Sequence, residues 1–461
     1  MKEEEYMFTL GKAVFCLLCM TLVVSFSLPQ QLSHAEESVQ LPIEREHLED
    51  TIPSFFSSHA TPPEWAEAWE RAGKPKNTLS EGNAQKVQML PTYLDEIDDV
   101  IQSGMEEDMY PGAVALVVKE GTIVKHEAYG DALKYASTSE LLPLEKRLAT
   151  KKDTIYDMAS ITKIFTSIAS LQLLEKGLIE LDEPVTSYIP ELNDDSITVR
   201  HLLTHTSGLP PWLPIYTYET IEERIQTVYE AETVNEPGTT YGYSDLNLIV
   251  LGKIVETVSG ESLDEYIFNS ITDPLGMNDT MFNPSSDIQS RIAATEPQPY
   301  LDRGMVWGSV HDENAFSLDG VAGHAGIFST AKDIAILSQT ILNGGKYEQT
   351  RILKTDTVSE MLTNQITNES SLAQGLGWHL DRSWFMGAMS SPVTAGHTGF
   401  TGTSFVIDPE REAIVILLTN RVHPTRTAGS INPWRQEVVD KVVNAIDQHP
   451  NTNGRNSENE K

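Results

Sequence analysis

The sequence predicts an α/β (α+β) fold: an antiparallel sheet flanked by helices, assembled from both ends of the chain, with a helical subdomain inserted between its halves. Three observations carry this. "GAVALVVKEGTIVKHEAYG" (112–130) is two β-rich runs around Glu120-Gly121, a hairpin signature. "GTSFVIDPEREAIVILLTN" (402–420) is a second hairpin near the other end. Residues 160–280 between them read mostly as helix.

At the N-terminus, a short apolar run after Lys12 leads to "SHA", with small residues at the positions a signal peptidase prefers, so residues 1–35 are expected to be a secretory signal and the protein to act outside the cell or at the wall. The run is too short to favour a membrane anchor. Both cysteines, Cys16 and Cys19, fall inside it, so the mature chain would have neither thiol nor disulfide, which excludes a cysteine nucleophile or thiolate metal site. Residues 36–90, rich in Glu, Pro and Ser, are expected to be an acidic, partly disordered extension or linker with one helical stretch at "PEWAEAWERAG".

The main domain is expected over 91–448. "PTYLDEIDDVIQSGMEE" has apolar residues at helical spacing, and the first hairpin follows. "SITKIFTSIASLQLLEKGL" and "SDLNLIVLGKIVETVSG" read as helices that end at Gly177 and Gly260. After the second hairpin, "PWRQEVVDKVVNAI" is a last helix, and 449–461 is a polar tail expected to be disordered. At 461 residues the chain has ample length for a core, and its formal charge of −34 disfavours nucleic acid and anionic membrane surfaces as partners.

Ser160 and Lys163 form a Ser-x-x-Lys pair, a spacing that chance supplies about once or twice in such a chain. Ser329 and Lys332 repeat it, but there Thr330-x-x-Asp333 reads as a helix cap. Ser160 instead opens a helix, so Lys163 lies one turn on along the same face and the helix N-terminus favours developing negative charge. That arrangement suits acyl transfer.

"PGTTYGYSDLN", with Tyr243-Ser244-Asp245, and "GHTGFTGTSFVIDP", with His397-Thr398-Gly399, complete a set with "LDEPVTSYIPEL" and "ITVRHLLTHTSGLP". Together these resemble the serine β-lactamase-related family, on the class C and DD-peptidase side, over about residues 108–448. The resemblance implies Ser160 as nucleophile, Lys163 as its cationic neighbour, Tyr243 as general base, His397 where many relatives have Lys, and the Phe400 N–H as second oxyanion donor.

Two departures bear on chemistry. Asp245 stands where the second motif often has Asn, and opposite charges at about 4 Å and an effective dielectric near 20 gain roughly 4 kcal/mol, which holds Lys163 protonated. Lys163 as base near neutral pH would need a fall of roughly three pKa units, about 4 kcal/mol, so proton abstraction falls to Tyr243 with Lys163 stabilising its phenolate. His397 is mostly neutral at pH 7, offers less positive charge than lysine and can still donate a hydrogen bond. Efficient β-lactam hydrolysis is therefore disfavoured.

"VHDENAFSLDGVAGHAGIFSTAKDIA" and "LLTNRVHPTR" resemble a narrower branch, secreted exo-acting N-acetylmuramoyl-L-alanine amidases of cell-wall recycling. That implies a muropeptide substrate, cleaved between MurNAc and L-Ala, with His311, Asp312, Glu313, His324 and His423 as substrate-binding candidates. Turn and packing roles are the plain alternative for these. DD-carboxypeptidase, D-aminopeptidase or esterase activity and a non-catalytic penicillin or muropeptide sensor are the rival readings. A zinc amidase fits less well, because His201-x-x-x-His205 lacks the Glu of His-Glu-x-x-His. No metal and no cofactor are expected, and the protein is expected to be a monomer.

Overall fold

The computed structural model describes residues 78–366 and 372–450. The expected signal with Cys16 and Cys19, the stretch "PEWAEAWERAG" and most of the tail lie outside the described residues. By contacts the chain divides into 1–59 and 60–461, and every described residue belongs to the second unit.

Strand β1 (Ser80–Glu81) is followed by helix α1 (Pro91–Glu106) and the long hairpin β2 (Gly112–Lys119) and β3 (Thr122–Leu133). Its turn puts Glu120 at φ 50° and Gly121 at φ 68°, the double left-handed step that matches strand twist. Helices α2 (Thr162–Glu175) and α3 (Asp245–Ser259) follow, each stopped by a positive-φ glycine, Gly177 and Gly260. Near the end come β4 (Ala395–Thr398), β5 (Ser404–Asp408), β6 (Ala413–Thr419) and helix α4 (Asn432–Asp447).

The sheet runs β1-β3-β2-β6-β5-β4, then His379–Leu380 and Ala373–Gln374. β2 pairs antiparallel with both β3 and β6, so the first and last hairpins meet at its centre as the sequence predicts. Two details differ from expectation. β1 pairs in parallel with β3, placing residues 80–81 in the sheet and burying Ala84, Val87 and Met89 of the same stretch. The insertion also carries a small sheet of its own, in which Ile327–Ser329 pairs with Tyr156–Asp157 and with Met281–Phe282. These strands of two or three residues are too short to leave an alternating pattern.

Two apolar layers sandwich the sheet. In β2, Val114, Leu116 and Val118 join the core with α2 and α3, while Ala113, Ala115 and Val117 join the layer under α1 and α4. β6 sorts Ile414, Ile416 and Leu418 from Ala413, Val415 and Leu417 in the same way. The period of two explains why both strands are apolar throughout: each face is covered. Among the described residues no helix is long and apolar enough to cross a membrane.

Candidate active site

The site lies where the start of α2, the start of α3 and the end of β4 converge. Ser160 sits in a 3-10 turn, Ala159–Ile161, that runs directly into α2. Ala159 adopts φ 46°, uncommon for a residue with a side chain, and its N–H donates to Asp157 Oδ1 at 2.8 Å. Asp157 Oδ2 accepts from the His311 N–H at 2.7 Å, so one buried carboxylate ties the Ser160 turn to the His311 loop. Nothing local in the sequence marked Asp157, because both acceptor bonds serve backbone groups.

Lys163 is fully buried one turn along. Its ammonium donates to Ser160 Oγ at 2.9 Å, to the His324 carbonyl at 3.0 Å and to Asp245 Oδ1 at 2.8 Å. Burial pulls the Lys163 pKa down, but the charge and hydrogen bonds of Asp245 and Tyr243 more than offset it, and the net direction is up. Lys163 is thus a fixed cation, as Asp245 leads one to expect.

Tyr243 stands beside Ser160 and Lys163, with the Lys163 ammonium 5.0 Å from its ring centroid, and both act on its hydroxyl. Burial pushes its pKa above the ordinary 10, Lys163 opposes this and Asp245 adds to it. The phenol is therefore held protonated at neutral pH, because loss of solvent outweighs one cation whose charge Asp245 already balances.

His397 lies on β4, buried, with its ring 6.3 Å from that of Tyr243. Burial first, then the charge of Lys163, lowers its pKa to about 3, so it is neutral as expected. Its Nδ1 meets the Thr398 carbonyl at 2.8 Å, and a carbonyl can only accept, so Nδ1 carries the proton and Nε2 is a lone-pair acceptor. The one proton of the neutral ring is thus donated to that carbonyl and is not available to Tyr243. Thr398, Gly399 and Phe400 line the cavity beside Ser160. Gly399 is required by crowding: a Cβ there would lie 2.1 Å from Thr403 Oγ1 and 2.4 Å from the Met158 carbonyl.

Two further histidines surround Tyr243: His205, which the sequence placed in a structural turn, and His379, which it did not single out. His205 caps its short helix at φ 57°, stacks on Tyr243 with centroids 4.6 Å apart, and receives the Ser244 N–H at Nδ1. His379 stacks on His397 at 4.3 Å. Burial holds the pKa of both well below 6.5, which keeps this belt neutral. His205 was visible in the "LLTHTSGL" turn. His379 comes from a two-residue strand that tertiary packing alone brings here.

Two cavities meet at Ser160, Tyr243 and Phe400. One, about 660 Å³, holds Arg382, Arg421 and Arg435 and, among the described residues, no carboxylate. Arg421 and Arg435 bond to backbone carbonyls, Arg435 also to the Asn432 side chain, and burial lowers the pKa of both, that of Arg435 to about 9. The other, about 560 Å³, holds Asp245, Asp312, Glu313, Arg426 and the rings of Trp212, Tyr216 and Tyr300. His311 and His324 line this second cavity, His311 bonded to Glu296 at 2.8 Å and His324 to Asp312 at 2.9 Å.

His423 does not join them. It is buried away from both cavities, accepting from the Lys134 and Tyr135 N–H groups and donating to the Thr295 carbonyl, so its role is to pin loops. The Ser329 and Lys332 pair also separates: Ser329 is buried against Thr280, Lys332 is exposed, and Thr330 caps its helix by accepting from the Asp333 N–H.

Asp245, Asp312 and His324 offer possible metal-ligand atoms within 4.8 Å of one another. The Lys163 ammonium already occupies the cation position against Asp245, and His324 Nε2 is given to Asp312, so a divalent ion would have to displace both. His201 spends Nδ1 on the Thr198 N–H as part of a helix cap, which separates its role from that of buried His205.

A buried serine-lysine-tyrosine cluster at a helix start, beside a strand end and framed by an antiparallel sheet with helices on both faces, defines a serine hydrolase of the penicillin-recognising architecture. The chain belongs to the Beta-lactamase family, which matches residues 97–440. It is 35% identical over 76% of its length to a protein of Bacillus subtilis (strain 168) named "N-acetylmuramyl-L-alanine amidase", covering 86% of that protein. It is 33% identical over 80% of its length, and 94% of the relative's, to a protein of Escherichia coli (strain K12) named "Putative D-alanyl-D-alanine carboxypeptidase". Among solved structures, the octameric penicillin-binding protein homologue of Pyrococcus abyssi aligns with TM-score 0.59 at 23% identity, covering 79% of this chain and 80% of that one. The hydrolase EstCE1 aligns with TM-score 0.61 at 22% identity, covering 76% and 98%.

Proposed function

We propose that this hydrolase cleaves the amide between N-acetylmuramic acid and L-alanine in peptidoglycan fragments, through an acyl-enzyme on Ser160. The observation that carries the reading is the opposite character of the two cavities that meet at Ser160. In such a substrate the lactyl carboxyl of the sugar is consumed in the amide, so the acyl half is neutral and hydroxyl-rich, while the peptide half carries the carboxylates. An arginine-lined cavity beside an aromatic, carboxylate-lined one suits that asymmetry. The Bacillus subtilis relative's name supports the same bond.

The proton path follows from the hydrogen bonds. Lys163 donates to Ser160 Oγ, which leaves the serine proton directed at Tyr243. As Ser160 Oγ attacks the lactyl carbonyl, its proton passes to the Tyr243 oxygen while the Tyr243 proton passes to the leaving nitrogen. No free phenolate is needed, consistent with the raised Tyr243 pKa. Lys163 stabilises negative charge on Oγ, and the N–H groups of Ser160 and Phe400 hold the oxyanion. Water then attacks the ester with the same residues acting in reverse.

The second reading is a DD-carboxypeptidase, favoured by the Escherichia coli relative's name and by arginines that would equally receive a C-terminal carboxylate. Mass spectrometry of products from MurNAc-L-Ala-D-Glu and from a D-Ala-D-Ala peptide, with wild type and Ser160→Ala, separates the two. Free MurNAc from wild type alone supports the amidase. Cleavage restricted to the D-Ala-D-Ala peptide replaces it with the carboxypeptidase.

A further inference from the structure

We propose that the second cavity is a pyranose subsite in which the Trp212 indole stacks on the sugar ring and Asp312 and Glu313 accept hydrogen bonds from its hydroxyl groups. This rests on the muropeptide reading and deepens it by assigning which half of the substrate goes where and which side chains select it.

The lining carries the inference. Trp212 is 43% exposed and Tyr300 56% exposed, although both belong to a concave surface beside Ser160. Large rings left open to water inside a cleft are apolar faces awaiting a ligand. Trp212 is braced by Tyr216, with ring centroids 6.2 Å apart, so the platform is preformed.

The polar wall is equally fixed. Arg426 Nη2 donates to Glu313 at 2.7 Å and to Tyr300 at 2.8 Å, while its backbone N–H donates to Glu296 at 2.6 Å. Asp312 uses Oδ1 for the Ala315 N–H and for His324, and among the described residues its Oδ2 accepts no bond. Burial alone would raise the Asp312 pKa, but His324 pulls it well below the ordinary range, so the group is an acceptor at any working pH.

Chemistry then selects the ligand class. Asp245 is already balanced by Lys163, Arg426 is already bonded to Glu296 and Glu313, and Asp312 adds a further carboxylate, which disfavours an anion in this cavity. An apolar side chain would strip water from Asp312 and Glu313 without replacing it. A neutral ring with one apolar face and several hydroxyls satisfies both walls, and 560 Å³ admits a single hexose with its N-acetyl and lactyl groups.

The test has a binding arm and a cleavage arm on the full chain. In the Ser160→Ala protein, ligand-observed NMR titration with the neutral N-acetylmuramoyl amide is expected to show saturable binding. Trp212→Ala should weaken it about tenfold and Trp212→Phe should restore most of the loss. In the Ser160-containing protein, kcat/KM for MurNAc-L-Ala-D-Glu is expected to exceed that for D-lactyl-L-Ala-D-Glu, which keeps the amide and lacks the ring. Trp212→Ala should lower the first about tenfold and leave the second unchanged. Binding that ignores the Trp212 substitutions, or equal loss on both substrates, overturns the subsite. Trp212-dependent binding without cleavage of either amide leaves the subsite standing and removes the muropeptide amidase reading instead.

Discussion

Ser160, Lys163 and Tyr243 divide one proton transfer and one charge among three side chains. Lys163 is locked as a cation by Asp245 at 2.8 Å, so the mobile proton belongs to the serine and tyrosine hydroxyls. Tyr243→Phe deletes the relay but leaves the ring stacked on His205, and kcat is expected to fall about 10²- to 10⁴-fold with little change in KM. Steady-state kinetics on MurNAc-L-Ala-D-Glu check this, and a fall in KM alone would contradict it. The triad was legible because its residues sit in two short contiguous motifs, Ser160-x-x-Lys163 and Tyr243-Ser244-Asp245. Asp157, Arg426 and Trp212 were not, since each works through loops that meet only in the folded chain.

At the scale of elements, two hairpins and two long helices carry the design. The alternation in β2 and β6 and the glycines after α2 and α3 were readable because period and stop signals are local properties. The small sheet under the Ser160 turn was not readable, and neither was the pairing of residues 80–81 with β3. The tightest point is the turn after β4, where Gly399 passes the Met158 carbonyl and Thr403. Gly399→Ala would force a Cβ to 2.4 Å from that carbonyl, so the β4 end must move away from Ser160. The expected result is a kcat/KM loss of at least about 100-fold at near-native far-UV circular dichroism. Retained activity would show that β4 does not set the site.

Over the whole molecule, buried neutral histidines make the fold sensitive to acid. Burial brings the pKa of His397 to about 3 and, in the loop pin, that of His423 to about 4. Both lie below the ordinary 6.5, so the unfolded chain binds protons that the folded chain refuses. Their stability contribution is complete above about pH 6.5 and declines as pH falls through that value, by about 2 kcal/mol each at pH 5. Calorimetry should therefore find a lower Tm at pH 5 than at pH 7, a window in which most carboxylates stay ionised. An unchanged or higher Tm would contradict it. Composition showed the net charge of −34, but it could not show that the arginines Arg382, Arg421 and Arg435 gather in one cavity and Asp245, Asp312 and Glu313 in the next.

The most direct measurement is intact-protein mass spectrometry of rapidly quenched mixtures of wild type with MurNAc-L-Ala-D-Glu, followed by peptide mapping. One muramoyl group on the peptide that contains Ser160, absent in Ser160→Ala, is the predicted result. Turnover with no adduct, an adduct elsewhere, or a peptide rather than a muramoyl group on Ser160 would contradict it.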